Sequence, residues 1–329
     1  MSDKLFGYEP EALDPRKGKK NAPGAVHSSI GSKDTITRTV RRTPEVMIKI
    51  SSSAKNMRKV RENLDYISRK GMVEVEDERG HTFIGLDVKE DALYSWRKKI
   101  PEAGARRRET FNVIFSMPAG TPREEVSEAV RQFAADKYKN HQYLFATHTD
   151  EDHPHVHVIV KSAPINGGKR LNPRKADLQK WRELFADKLR TQGIEANATP
   201  RYSRGVTRKA KKQAVLHIDK RSREHDDVEP SRVTQAQEQA AIDEVGGRAS
   251  AVPSPFMDKL RSRRQSVLKE YGEAARGWLK GNQQDRILAV EVTKFAQKMP
   301  PVETQHSKLV SELRQRSVAD KVPQKGPER

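Results

Sequence analysis

The sequence contains no cysteine, which excludes disulfides, thiolate nucleophiles and Cys-ligated zinc or iron-sulfur centres. Aromatic residues make up only 6% of the 329 and hydrophobic residues 34%, against 33% charged. So hydrophilic a chain does not fill one core of this length, and a folded domain of roughly 150 to 200 residues with polar extensions is expected. No stretch approaches the roughly 20 apolar residues of a membrane helix, and the first residues show no apolar signal-like run, so a cytosolic protein without membrane insertion is expected.

Positive charge is what the sequence has in excess, with a formal net charge of +19. Residues 166–213 hold fourteen Lys and Arg against four Asp and Glu, a net of +10 in 48 residues. An anionic polymer lying there would release counterions, which makes nucleic acid the first partner to consider.

Residues 1–44, rich in Pro, Gly, Ser, Lys and Thr, read as a flexible basic arm. Residues 45–213 carry the alternation and periodicity of a folded domain. Residues 45–51 alternate as a strand, and Met57, Val60, Leu64 and Ile67 recur at spacings of 3, 4 and 3, the stripe of an amphipathic helix ending at Gly71. A hairpin around Gly80, a helix near 89–99, a strand over 110–117 and a helix to about Lys139 follow. Two further strands, 142–150 and 153–163, flank an acidic turn, and a helix over 175–191 stops at Gly193. Residues 214–329 are charged, rich in Gln and Ala and poor in aromatics, and are expected to be helical or partly disordered.

Four of the ten histidines, His148, His153, His155 and His157, fall within ten residues. If Asp150 pairs with His155 across the turn, then His148 pairs with His157, and strand alternation projects His148, Asp150, His155 and His157 from one face. Val156, Val158 and Val160 then face a core. Three imidazoles converging from two strands form a metal site with an open side, Asp150 could orient one of them, and His153 is out of phase. Three neutral imidazoles also suit a zinc hydrolase, so the metal site does not by itself fix the chemistry. Of the seven tyrosines, Tyr66 lies on the predicted helix roughly 140° from the centre of its apolar stripe, which leaves its hydroxyl outside the core.

Three segments, LDYISRKG (64–71), FNVIFSMPAGT (111–121) and HTDEDHPHVHVIV (148–160), occur in an order and at separations that resemble the three motifs of the DNA relaxases of bacterial conjugation. The likeness spans about residues 45–205 and is to the branch that includes the Agrobacterium T-DNA endonuclease and the P-type plasmid mobilisation relaxases. It implies a His-hydrophobe-His (HUH) endonuclease of α+β class, with a central antiparallel sheet carrying the histidines and helices on one face. In that family pattern Tyr66 is the nucleophile, His148, His155 and His157 hold a divalent cation, Asp150 is the acidic residue of the third motif, and Ser116 lies by the scissile phosphate. The sequence departs from the pattern at Lys161, where asparagine usually stands.

What the resemblance implies is nicking and rejoining of one DNA strand at an origin of transfer, through a covalent 5′-phosphotyrosine. A metal-dependent hydrolase without a covalent link, or a non-catalytic single-stranded DNA-binding accessory protein on the same fold, are the alternatives. Family usage favours Mg²⁺ or Mn²⁺, and ligand softness favours Zn²⁺. Expected DNA contacts are Arg69 and Lys70 beside the nucleophile, and Lys169, Arg170, Arg174, Lys175, Arg201, Arg204, Arg208 and Lys209 of the basic segment, with Tyr202 a stacking platform. Expected partners are single-stranded DNA, accessory proteins of the relaxosome and a type IV coupling and secretion apparatus, to which residues 214–329 could carry the signal. The expected location is the bacterial cytoplasm, with export to a recipient cell on the DNA.

Overall fold

The computed structural model describes residues 30–104, 106–208, 210–249 and 256–319, so most of the expected arm, Lys209 and the last ten residues lie outside it. In chain order the elements begin α1 (Lys33–Val40), β1 (Met47–Ala54), α2 (Met57–Ile67), β2 (Val75–Asp77) and β3 (Thr82–Phe83). They continue α3 (Val88–Ala92), α4 (Tyr94–Arg97), β4 (Thr110–Ser116), α5 (Arg123–Lys137), β5 (His141–His148), β6 (His155–Pro164) and α6 (Lys175–Thr191). After a 3-10 turn at Arg201–Arg204 come α7 (Gln213–Glu224), α8 (Arg232–Val245), α9 (Met257–Trp278), α10 (Gln283–Gln297) and α11 (Gln305–Ala319). The six strands form one sheet in the order β1-β4-β6-β5-β2-β3, antiparallel throughout.

Helices cover both faces of this sheet and not one, because its central strands are apolar on both sides. Val156, Val158 and Val160 of β6 join Val113 and Phe115 of β4 in the larger core, closed by Phe133 of α5 and by Trp181 and Phe185 of α6. Ile159, Leu144 and Ala146 face the other way, against Met57, Val60, Leu64 and Ile67 of α2 and Trp96 of α4. The four stripe residues of α2 are fully buried, which at about 1.5–3 kcal/mol each makes this stripe the main force holding the helix to the sheet. The single helix expected near 89–99 is two short ones, broken at Leu93.

α2 starts at Asn56, whose side chain accepts the Lys59 N–H at 2.9 Å, and ends in three consecutive left-handed residues, Arg69, Lys70 and Gly71, with φ of 51°, 60° and 89°. Glycine is required at the last of these: a Cβ there would sit 2.0 Å from the Gly85 carbonyl oxygen. Gly71→Ala is therefore expected to cost about 2–4 kcal/mol in urea unfolding, from the φ penalty and the displaced backbone together, whereas Gly80→Ala, with open space around it, bears the φ penalty alone.

Part of the expected arm is ordered. Ser32 caps α1 by accepting the Thr35 N–H at 3.3 Å, and Ile36 is buried with Ile30, Val267 and Tyr271 of α9, and Leu288 and Val292 of α10 in a third core. The Tyr271 hydroxyl donates to the Ser203 carbonyl at 3.0 Å and so pins α9 to the 3-10 turn. Segments on either side of the expected divisions at residues 44 and 213 thus pack together. Two apolar positions in an eight-residue helix leave little periodicity, and the surface that buries them is some 230 to 260 residues away in sequence.

Candidate active site

The histidine hairpin forms in a register two residues from the one expected. His148 pairs with His155 and Ala146 with His157, while Asp150 lies beyond the end of β5. A shift of two preserves the side-chain face, so the three histidines still converge. β6 is flanked by β4 and β5, which places Ser116 directly across from His155 on the other side. The chain therefore builds a floor of His148, His155 and Ser116 across one end of three adjacent strands.

The three imidazoles fit a divalent cation. One nitrogen from each lies within 4.8 Å of the others, and the ring centroids are 4.3 to 5.3 Å apart. His148 Nε2 is 2.8 Å from the Ile67 carbonyl oxygen and His155 Nδ1 is 3.1 Å from that of His153. Each of those nitrogens must carry the donated proton, which leaves the lone pairs of His148 Nδ1 and His155 Nε2 as those that could ligate a cation, with that of His148 accepting from Arg69 Nη2 in this structure. Burial, and then the neighbouring His148 and His155, push the pKa of His157 down to about 3. Burial also lowers that of His148, so both stay neutral and able to ligate at physiological pH.

Tyr66 faces this set from α2. Its ring centroid is 5.5 Å from that of His157 and 6.2 Å from that of His148, and the residue is 56% exposed. The His148 bond to the carbonyl of Ile67, the next residue in the chain, fixes the end of α2 against the histidines. Arg69 joins the parts: its guanidinium lies 5.0 Å from the Tyr66 ring centroid, its Nη2 is 3.1 Å from His148 Nδ1, and it forms a close ion pair with Asp150. Desolvation acts to raise the Asp150 pKa, but the hydrogen bond and charge of Arg69 outweigh it and hold that carboxyl below its ordinary value.

Asp150 does not orient an imidazole through its back nitrogen, as the expected register implied; backbone carbonyls do that for His148 and His155. Its Oδ1 lies 3.9 Å from His155 Nε2, the nitrogen on the side where a cation would bind. Arg123 is a participant that sequence reasoning missed. It donates to the His148 carbonyl at 3.2 Å and to the Glu151 carbonyl, and so braces the acidic turn. The available signal was an arginine opening a helix, where acidic residues are favoured.

The basic segment does not form one tract at this site. Thr110 pairs with Lys161 at the far end of the strands, six residues and roughly 20 Å from Ser116 and His155. Arg170 is committed there to buried Glu109, at 2.8 Å, and Leu171 bonds Ser162, so Lys169 and Arg174 lie toward that remote end too. Arg201 and Arg204 lie at the end of the sheet that carries the histidines, since Glu45, two residues before β1, bridges to Asn197 and pairs with Arg204 at 3.4 Å. Tyr202 is no open platform: Arg263 covers its ring at 3.9 Å. Lys70 is exposed, four residues beyond Tyr66.

Lys161 is buried at the remote end, donating to Gln142 Oε1 at 3.0 Å, and burial lowers its pKa to about 8. Its unfolded value is about 10.4, so from pH 8 to 10.4 the unfolded chain binds a proton that the folded protein has lost. Stability from this group should therefore rise with pH across that window. Lys161→Met is expected to be more stable than the parent at pH 7 and to lose that rise, read by urea unfolding at pH 7, 9 and 10.

Residues 66–194 match the sequence family "Relaxase: MobA/VirD2-like, nuclease domain". Among curated proteins, the T-DNA border endonuclease VirD2 of Rhizobium radiobacter is 30% identical over 186 residues, 49% of this chain and 43% of that protein. The VirD2 of Agrobacterium fabrum is 29% identical over 184 residues, 50% of this chain and 41% of its own. That of Rhizobium rhizogenes is 26% identical over 244 residues, 64% of this chain and 56% of its own. The chain thus spans about half the length of the curated relatives it matches. The matched region begins at Tyr66 and contains all three histidines.

Proposed function

We propose that this chain, whose residues 66–194 match the MobA/VirD2-like relaxase nuclease domain, nicks and rejoins one strand of DNA at an origin of transfer. The observation that carries this reading is the exposed tyrosine against the triad, its ring centroid 5.5 Å from that of His157 and 5.0 Å from the Arg69 guanidinium. The three-histidine set alone would serve a hydrolase equally well.

Tyr66 Oη loses its proton to solvent and attacks the scissile phosphorus as the bond to the 3′ oxygen breaks, leaving a 5′-phosphotyrosine, and the departing 3′ oxygen takes up a proton from solvent to become a hydroxyl. His148, His155 and His157 would hold a divalent cation, proposed to be Mg²⁺ or Mn²⁺, which as a Lewis acid offsets charge growing on the phosphate. Arg69, beside the Tyr66 ring, would offer its guanidinium to a phosphate oxygen, and Asp150 acts through Arg69 as a positioning residue. Ser116 and Lys70 border the path of the strand. Because one phosphodiester is exchanged for another, resealing requires no nucleotide cofactor.

Single-stranded DNA is the proposed substrate, with relaxosome accessory proteins and a type IV coupling protein as proposed partners in a bacterial cytoplasm. Among the described residues no helix is long and apolar enough to cross a membrane. The test is a denaturing gel of the protein with single-stranded oligonucleotides tiled across the DNA flanking its own gene, with Mg²⁺, Mn²⁺, Zn²⁺ or chelator. A metal-dependent protein-DNA band on one tile is expected; cleavage without such a band would overturn the covalent mechanism.

A further inference from the structure

We propose that the cleft between α1, α10 and the catalytic end of the sheet is a second DNA-backbone site, holding the strand beside the nick through Arg42, Lys294 and Lys298. The proposal rests on the relaxase reading and extends it to helices that lie outside the matched nuclease domain.

The position of the cleft comes first. It encloses about 750 Å³ and its lining includes Arg42, Glu45, Pro118, Arg204, Lys294 and Lys298. Pro118 lies two residues beyond Ser116, the residue paired with His155, and Glu45 lies two residues before Met47, which pairs with Ser116. The cleft therefore opens at the end of the sheet that carries the histidines. A strand leaving the triad across Ser116 would meet it next.

The charges come second. Five cations and two carboxylates line the cleft, and two of the cations are matched: Arg41 with Glu291 at 3.3 Å and Arg204 with Glu45 at 3.4 Å. The side chains of Arg42, Lys294 and Lys298 make no ion pair or hydrogen bond among the described residues. The carbonyl ends of two helices weakly favour nearby cations, Lys294 and Lys298 at the end of α10 and Arg42 just past that of α1. That weak attraction does not explain why all three converge on one space whose two carboxylates are already matched, which is the electrostatic footprint of a polyanion.

The backbone supplies an independent observation. Arg42, just past the end of α1, has φ of 60°, and its N–H closes the turn onto the Thr39 carbonyl at 3.1 Å. This is the position where glycine is favoured, because a Cβ is strained there. An arginine that bears such strain with no partner for its guanidinium points to a ligand.

The experiment compares the parent with Arg42→Gly/Lys294→Gln/Lys298→Gln on two single-stranded oligonucleotides, a short one covering the nick and a longer one extended on both sides. Affinity is measured from low to moderate salt, alongside adduct formation. For the longer oligonucleotide the slope of log affinity against log salt should fall in magnitude by about 2, three lost contacts at about 0.7 each. Affinity and adduct formation on the short one should stay within about twofold. Arg42→Gly alone should melt no lower than the parent, since glycine relieves the strained φ, and should still weaken binding of the longer oligonucleotide.

An unchanged slope would overturn the proposal, and would do so equally if the cleft serves an acidic protein. Equal losses on both oligonucleotides would overturn it as well, by placing these residues in the catalytic site or the fold. Failure of the parent to form any adduct would instead sink the relaxase reading, while the salt slope would still report on the cleft.

Discussion

Tyr66→Phe should abolish the protein-DNA adduct, by at least 10⁴-fold on the gel described above, and leave DNA affinity within about twofold and the melting temperature within a degree or two. The residue is 56% exposed, so loss of one oxygen removes little burial. The ring contacts with His148, His157 and the Arg69 guanidinium all involve atoms that phenylalanine retains. Only the oxygen proposed to attack is deleted, and no other tyrosine is placed against the histidines among the described ring contacts. Cleavage that survives in this variant, with a free 5′ phosphate, would show that water attacks and would convert the assignment to a hydrolase. A parallel fall in affinity would mean that the hydroxyl binds DNA.

His157→Ala should have the second largest effect. The residue is 3% exposed, lies against the other two histidines and the Tyr66 ring, and is held neutral by its burial. Removing one of three ligands is expected to weaken Mn²⁺ binding by at least about 100-fold in titration calorimetry and to lower adduct formation by about 10³-fold or more. The metal-free variant should remain folded, because the valine face of β6 and its ladders to β4 and β5 do not depend on the imidazole. Unaltered Mn²⁺ binding would exclude His157 from the ligand set.

Much of this site was legible in the sequence because strand alternation is a parity rule. The hairpin register was misjudged by two residues, yet His148, His155 and His157 still share a face, since only an odd error exchanges faces. The stripe of α2 was equally plain, and with it the exposure of Tyr66. What could not be read were contacts that close in space alone. The carbonyls of Ile67 and His153 that orient two imidazoles are backbone groups, present at every residue and marked by none. Asp150 was assigned to a histidine because the expected register put it there, whereas the turn turns it toward Arg69. Charge density misled for a related reason: Arg170 counts toward a basic segment in sequence but spends its charge on Glu109 at the remote end of the sheet. Composition tells how much charge a segment has, and the fold decides where it points.

The two faces of the sheet are stabilised by separate cores of unequal size, and the reacting groups are divided between them. β6, which carries two of the histidines, is locked by the larger core, whereas Tyr66 rides on α2, held by the smaller one. Proteins open in cooperative units, and the unit with less buried apolar surface opens first. On heating, α2 should lift from an intact sheet before the sheet itself melts. The protein would lose the proposed nucleophile while keeping the three histidines in place, so loss of adduct formation should precede global unfolding by several degrees, and amides of α2 should exchange faster than those of β4 and β6.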